Sequence, residues 1–311
     1  MIETKEILCS QNPQGSKLMT MFWRYPKYLH QESLRHRTLY IHDCLYDPDF
    51  SFSVSSARAI PFKKLLEEVR SDKLRAAPLV WGCEQKGMSP GEELSDDIDN
   101  SAYISNEGII SYRQQAKNWW KEAAIAAADL AEQMAELGLH KSIINRIIEP
   151  YIHVNCLVTG TDRGWLNFFG LRLDQNADPT LQILAQNAWK VWQESKPQLL
   201  QPGQWHLPYI EIDKDGPAIY ATSADIMETA KKVSSARCAR LSYLSFDTGK
   251  RSTIEEDLKL YNRLVGSTPI HASPLEHQAQ AFQHADNRSR NFTGWWQFRE
   301  MWENPAYGFS K

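Results

Sequence analysis

The feature that most constrains this chain is Tyr112–Leu137, an Ala-rich stretch closed by Gly138. Alanine is the best helix former, and glycine accepts the left-handed conformation that ends a helix. The spacing therefore predicts one long helix here. A second helix follows over Lys141–Ile148 and is stopped by Pro150. Trp119 and Trp120 lie within the long helix and are expected in the core.

Other segments carry their own start and stop signals. Pro61 opens FKKLLEEVR, with Phe62, Leu65, Leu66 and Val69 on one face. Asp178-Pro179 reads as the N-cap and first residue of a helix running to about Ser195. Thr222 with Asp225, and Ser252 with Glu255, have capping-box spacing. The second pair starts a helix with Ile254, Leu258, Tyr261 and Val265 on one face, ending at Gly266. KLMTMFW is strand-like, Tyr25-Pro26 interrupts it, and Lys27–Arg37 continues as helix. Tyr40–Phe50 reads as a loop, Glu92–Asn100 as an acidic surface loop, and Lys196–Gly216 as the best linker candidate. The aromatic tail NFTGWWQFREMW is expected to be ordered. The coarse class is mixed α/β with long helices and few clear strands.

Bulk properties exclude several functions. The 311 residues can bury a full core. A net charge of −3 offers no global basic field for nucleic acid, although a nucleotide needs only a few placed arginines. Five scattered cysteines show no zinc or CxxC spacing and read as reduced, buried thiols. The N-terminal stretch lacks an apolar signal core, and no run approaches a membrane span, so a cytoplasmic protein is expected. No GxSxG, Walker or Rossmann pattern occurs, and HASPLEH lacks the HExxH zinc arrangement.

What remains is a set of polar constellations. Arg35-His36-Arg37 is a dense cationic triplet, either a solvated patch or an anion contact at a helix end. Ser53–Arg58 offers hydroxyls beside a guanidinium, which suits a phosphate monoester or simply a Ser-rich turn. Arg163 and Asn167 share a helix face among aromatic residues, and serve a ligand or a structural ion pair. His271, Ser273 and Glu276 surround Pro274 and could orient a heterocycle.

Taken together these segments resemble the flavin-dependent thymidylate synthases, also called thymidylate synthase complementing proteins. The family signature is RHR, then Ser, one residue and Arg. Arg35-His36-Arg37 matches its start and Ser56-Ala57-Arg58 its end, with an insertion around Tyr40–Phe50. SSARAIP looks like the version in phage-type members, and NRIIEP and RGWLNFFGLR are further matching blocks. ARCARLSY and HASPLEH open the family's chains but lie near the C-terminus here, so the chain looks circularly permuted.

The resemblance implies one permuted domain over 1–311, with a mixed sheet, long helices and insertions near 40–50 and 91–110. It implies a homotetrameric, cytoplasmic enzyme that uses FAD, with NADPH and methylenetetrahydrofolate as co-substrates, to convert dUMP to dTMP. By motif, Arg35, His36, Arg37, Arg163, Asn167, Ser242, His271, Ser273 and Glu276 would hold FAD. Glu32, Ser56, Arg58, Arg146 and Arg172 would bind the nucleotide, with Arg172 and Ser56 in the catalytic step. Ser53-Val54 stands where the family has Asn-Glu, and Thr161 where it usually has Asn. A hydroxymethylase, a dCMP-modifying enzyme and a non-catalytic nucleotide or nucleic-acid binder stay open beside thymidylate synthesis.

Overall fold

The structure is a computed structural model. It describes residues 1–31, 49–87, 89–99, 102–105, 108–213, 216–217, 226–242, 252–282 and 287–303. Its centre is a five-stranded sheet in the order β3-β6-β2-β1-β7. The strands are β1 (Glu3–Gln11), β2 (Lys17–Pro26), β3 (Phe50–Val54), β6 (His153–Thr161) and β7 (Gln198–Leu199). A small hairpin, β4 (Ala102–Ser105) and β5 (Gly108–Ser111), precedes the long helix. All central pairs are antiparallel except β1 with β7.

Alternation along the strands makes two unlike faces. Met19, Met21, Trp23, Tyr25, Cys156 and Val158 point to one side. There they pack on α4 (Asp162–Arg172) and α5 (Pro179–Glu194) through Trp165, Phe168, Phe169, Leu184 and Trp192. Trp23 and Trp165 meet edge to face at 5.6 Å, an arrangement favoured by the ring quadrupoles.

Two glycines permit the close approach of α4 to β3. A Cβ at Gly160 would lie 2.4 Å from the Phe50 ring, and one at Gly164 would lie 2.9 Å from the Asp49 carbonyl oxygen. Gly164→Ala is therefore expected to push Asp49 away from α4 and to cost about 1–3 kcal/mol, read as a lower melting temperature. A variant as stable as the parent would show that β3 shifts freely.

The opposite face is polar and buried. Ser53 on β3, Thr159 on β6, Thr20 on β2 and Ser10 on β1 all point into it. It is covered by a second sheet of β8 (Trp205–His206), β9 (Ala279–Ala281) and β10 (Trp295–Gln297), and by the 3-10 turn Ser273–Glu276. Burying so many hydroxyls requires that each find a partner. Ser10 Oγ bonds His206 Nδ1 at 2.8 Å, and His206 Nε2 bonds Thr20 Oγ1 at 2.8 Å. Thr20 and Thr159 bond at 2.7 Å, Thr159 meets His277 Nδ1 at 2.8 Å, and His277 Nε2 meets Ser53 Oγ at 2.8 Å. One unbroken hydrogen-bonded string thus ties four strands to the C-terminal layer.

Two helical cores lie beside the sheet. Helix α1 (Phe62–Arg70), the long α2 (Tyr112–Glu136) and α3 (Lys141–Ile147) bury Leu65, Val69, Ala124, Ala128, Ala131 and Ile144. Helices α6 (Ile226–Ala239), α7 (Ile254–Val265) and α8 (Phe298–Glu303) close on Trp205, Leu260 and Phe298. Among the described residues no helix is long and apolar enough to cross a membrane.

Several expectations need correction. The strand β2 runs through Tyr25-Pro26, because Pro26 sits at its last position, where a missing N–H costs little. Lys27–Leu29 is then a 3-10 turn, and the expected helix beyond residue 31 lies outside the described residues. The capping box of α7 is Thr253 with Glu256, one residue later than the predicted pair. The predicted pair Thr222 and Asp225 lies outside the described residues. Lys196–Gly216 is no linker: Gln198–Leu199 pairs with β1, and Trp205, His206 and Leu207 are buried. Trp120 is packed against Tyr28, Trp81 and Tyr151, but Trp119 is exposed.

Candidate active site

Strand β3 is the axis on which the anticipated site residues are arranged. Just beyond it the chain turns tightly, and the Ser56 carbonyl accepts hydrogen bonds from the N–H groups of Ala59 and Ile60. The turn is pinned to β6, where Asn155 N–H donates to Ser55 Oγ at 3.0 Å and Ser55 N–H donates to the Asn155 carbonyl at 2.8 Å.

Helix α3 clamps the same turn. Asn145 Nδ2 donates to the Ala57 carbonyl at 2.6 Å and to that of Ile60 at 3.3 Å. Lys141 Nζ donates to the Ala59 carbonyl at 3.0 Å. The residue after Asn145 is Arg146, whose side chain is exposed, as is that of Arg58. Ser56 and Arg58 thus lie on the turn that Asn145 holds, and the neighbouring Arg146 directs its Nε–H to the Ser142 carbonyl at 3.3 Å on the same helix. The buried Oδ1 of Asn145 accepts no hydrogen bond from the described residues.

A further cationic element near this turn carries no motif. Arg24 on β2 is held by Glu68 at 2.9 Å and reaches Asn155 Oδ1 at 3.4 Å. Glu68 also accepts from His153, through Nδ1 and through the backbone N–H, each at 2.9 Å. Burial chiefly, and then the neighbouring Arg24 charge, lower the Lys64 pKa, while Glu68 raises it in part. Burial likewise lowers that of His153. The signal that could have found Arg24 is a lone arginine in an otherwise apolar strand.

The residues anticipated on the flavin side lie at the other end of β3. Arg163 opens α4, is 62% exposed, and pairs with Asp49 at 3.5 Å. The ion-pair alternative for Arg163 is thus present in the fold. Asn167 is half-buried one turn on, beside the exposed Leu166. From Asp49 to Ser56 an extended chain spans ~23 Å, at about 3.3 Å per residue.

Arg172, in the last turn of α4, is only 6% exposed. It stands about 14 Å along the axis from Arg163 and on the opposite helix face, as nine residues amount to two and a half turns. His271 and Ser273 are exposed, and Glu276 forms an ion pair with Arg299. Ser242 ends a 3-10 turn after α6, its side chain being outside the described residues. Glu32, Arg35, His36 and Arg37 also lie outside them. Among the described residues, the anticipated positions are therefore spread over both faces of the central sheet, with Arg163, Asn167 and Arg172 on α4 against one face and Ser273 and Glu276 on the turn that covers the other.

Two observations bear on the chemistry. Burial pushes the thiol of Cys9 up to about 11 and that of Cys156 to about 12, and raises that of Cys238 further. Such thiols are poor nucleophiles. A cleft of about 960 Å³ between α6, α7 and α8 is lined by Glu228, Lys232, Tyr261 and Trp302, and by none of the anticipated residues.

A hydroxyl-bearing turn with an exposed arginine, on a mixed α/β scaffold, is a donor set that an anionic ligand can use. The model of one family, thymidylate synthase complementing protein, matches residues 24–198, more than half of the chain. The chain belongs to that family and is a thymidylate synthase-like enzyme.

Among solved structures, two of the UMP/dUMP methylase PolB from Streptomyces cacaoi are similar. The form bound with 5-Br dUMP is 15% identical, covering 57% of this chain and 66% of that one, with a TM-score of 0.38. The form bound with 5-Br UMP is 17% identical, covering 57% and 68%, with a TM-score of 0.40. The chain thus spans about two thirds of their length, and the family assignment rests on the family match. No curated protein matches.

Proposed function

We propose that this enzyme transfers a one-carbon unit from methylenetetrahydrofolate to C5 of dUMP, giving dTMP, with FAD as cofactor and NADPH as reductant. The observation that carries the reading is the Asn145 bridge, which ties the helix that carries Arg146 to the Ser56–Arg58 turn. Hydroxyl and guanidinium donors on one turn suit the dianionic phosphate of a nucleotide. The nucleotide-bound relatives support the same class of substrate.

In this reading Ser56, Arg58 and Arg146 bind the phosphate, with Glu32 toward the sugar and base. Arg172 polarises the pyrimidine, and the low exposure of its side chain strengthens such an electrostatic role. The Arg163 guanidinium and the Asn167 amide are donors suited to the carbonyls and phosphates of a flavin, while the exposed His271 and Ser273 lie toward the other face of the sheet and belong to the flavin group by motif. Arg35, His36, Arg37, Ser242 and Glu276 belong to the same group by motif. When bound, FAD supplies the hydride that completes the methyl group. The spread of these residues over both faces of the sheet within one chain supports a site shared between copies of a homotetramer. The C-terminal blocks are read as the family's permuted opening, in one domain, because they dock on β3 and β6 through His277.

Arg58→Ala and Arg146→Ala are each expected to raise KM about 10–100-fold, as a charge-assisted hydrogen bond contributes about 1.5–3 kcal/mol, with kcat little changed. A fall in kcat at constant KM would move both residues away from ground-state phosphate binding. The reading itself is tested by the mass of the nucleotide product formed with FAD, NADPH and methylenetetrahydrofolate. A methyl increment on dUMP supports it. A hydroxymethyl increment, or a product from dCMP alone, replaces it with the corresponding activity, and an unchanged nucleotide refutes it.

A further inference from the structure

The first turns of α2 carry a polar stripe toward the segment that follows α1. Gln114, Lys117, Asn118 and Lys121 recur at three- and four-residue steps, so they share one helix face. With Asp72, Arg75 and Trp81 they line a cavity of about 340 Å³. None of the described residues anticipated for flavin or nucleotide lies on its wall. Its size is that of a small-molecule site at the lower end of the usual range.

Charge selects what can enter. Arg75, Lys117 and Lys121 against Asp72 alone leave the cavity two positive charges, on a chain whose net charge is −3. Arg75 Nη1 and Lys121 Nζ each hold one oxygen of the Asp72 carboxylate, both at 3.0 Å, so these two cations already converge on an anion. Lys117 is half-buried and has no ion-pair partner among the described residues. Glu93, beside the Trp81 backbone, is held by Arg113 at 2.8 Å and does not cancel this charge.

Arg75 is fixed and incompletely used. Its side chain is only 7% exposed. Nε donates to the Val69 carbonyl at 2.7 Å and Nη2 to that of Arg70 at 3.3 Å, which anchors the guanidinium to the end of α1. A guanidinium carries five N–H bonds. With a third directed to Asp72, two have no acceptor among the described residues. Donors so enclosed call for further acceptors, and a phosphate supplies several at once.

The remaining wall suits a planar heterocycle. Trp81 is held against Trp120, ring centroids 6.1 Å apart and rings nearly perpendicular, and forms an aromatic side. Gln114 Nε2 donates to Asn118 Oδ1 at 2.9 Å, which leaves the Gln114 carbonyl and the Asn118 NH₂ open toward a ligand. Turning both amides over exchanges their roles and leaves one carbonyl and one NH₂ open as before. The edge of thymine or uracil, an N–H beside a carbonyl, is the complement of that pair.

We propose that this cavity is a second, peripheral site for a pyrimidine nucleoside monophosphate. Arg75, Lys117 and Lys121 hold the dianionic phosphate, and Trp81 with the amide pair holds the base. The site is separate from the Ser56–Arg58 turn and does not depend on what that turn binds.

The test is equilibrium dialysis of dTMP against the full chain carrying Arg58→Ala and Arg146→Ala, which removes two arginines of the proposed substrate site. One dTMP per chain is expected to remain bound. Adding Lys117→Ala and Lys121→Ala is expected to weaken that binding by about 100-fold or more, since a hydrogen bond to a charged group is worth about 10–100-fold in affinity. An unchanged melting temperature checks that these variants are folded. Gln114→Ala with Asn118→Ala is expected to weaken dTMP binding about 10-fold and to leave the binding of inorganic phosphate unchanged. Absence of dTMP binding in the Arg58→Ala, Arg146→Ala chain, an affinity untouched by the lysine substitutions, or inorganic phosphate bound as tightly as dTMP would overturn the proposal. A parent chain that loses one bound dTMP with the lysine substitutions, yet forms no methylated nucleotide, would refute the proposed reaction and leave this site standing.

Discussion

Replacing Arg172 with alanine is expected to leave the flavin bound and to lower kcat by about 10²–10³-fold, the usual effect of deleting one preorganised donor at a site of developing charge. Arg172 closes α4, whose aromatic side chains fix the helix against the sheet, so its guanidinium starts from a rigid base. With little solvent around it, its charge acts through a low effective dielectric. Arg172→Lys keeps the charge but loses the planar fork, and is expected to recover only part of the rate. The measurement is single-turnover kinetics together with the flavin absorbance of the purified variants. Full turnover in a flavin-loaded Arg172→Ala enzyme would remove Arg172 from the proposed chemistry.

The second large effect is on acid stability. Burial lowers the pKa of both His206 and His277 from 6.5 to about 3, with the His277 charge adding to the effect on His206. A histidine depressed in the folded state stays neutral there while the unfolded chain takes up a proton. Stability from these two groups is thus fully present above pH 6.5 and is lost progressively as pH falls from 6.5 toward 3. Each contributes a slope of about 1.4 kcal/mol per pH unit, so the pair would cost about 4 kcal/mol at pH 5. Melting temperatures at pH 8, 6.5 and 5 should fall accordingly. The double variant His206→Asn with His277→Gln keeps hydrogen-bonding capacity without titration, and should show a flatter profile. An equally steep profile in that variant would place the acid sensitivity in other groups.

The same string gives a physical role to one departure from the family pattern. Ser53 stands where the family has Asn, and its hydroxyl is the end of the string at His277 Nε2. A change that reads in sequence as a loss is, in the fold, part of the joint between β3 and the C-terminal layer.

The sequence by itself determined the features that are local. Gly138 after α2, Asp178-Pro179 before α5 and Pro61 before α1 act within one or two turns of backbone, and each appears where its chemistry places it. The RHR, SSAR, NRII and RGWLNFFGLR blocks determined the family for the same reason, since a motif is a short-range object. Strands β1 and β6 were not legible. The first is outwardly polar, and the second is buried on both faces, so neither shows simple alternation. Only the tertiary structure decided that Trp205 and His206 belong to the core and not to a linker, because the strand that pairs with them lies more than seventy residues away. It alone joined Asn145 to Ala57 and placed Arg24 near that turn. Hydrogen bonds and ion pairs between distant segments depend on how the strands and helices stack, which no local pattern encodes.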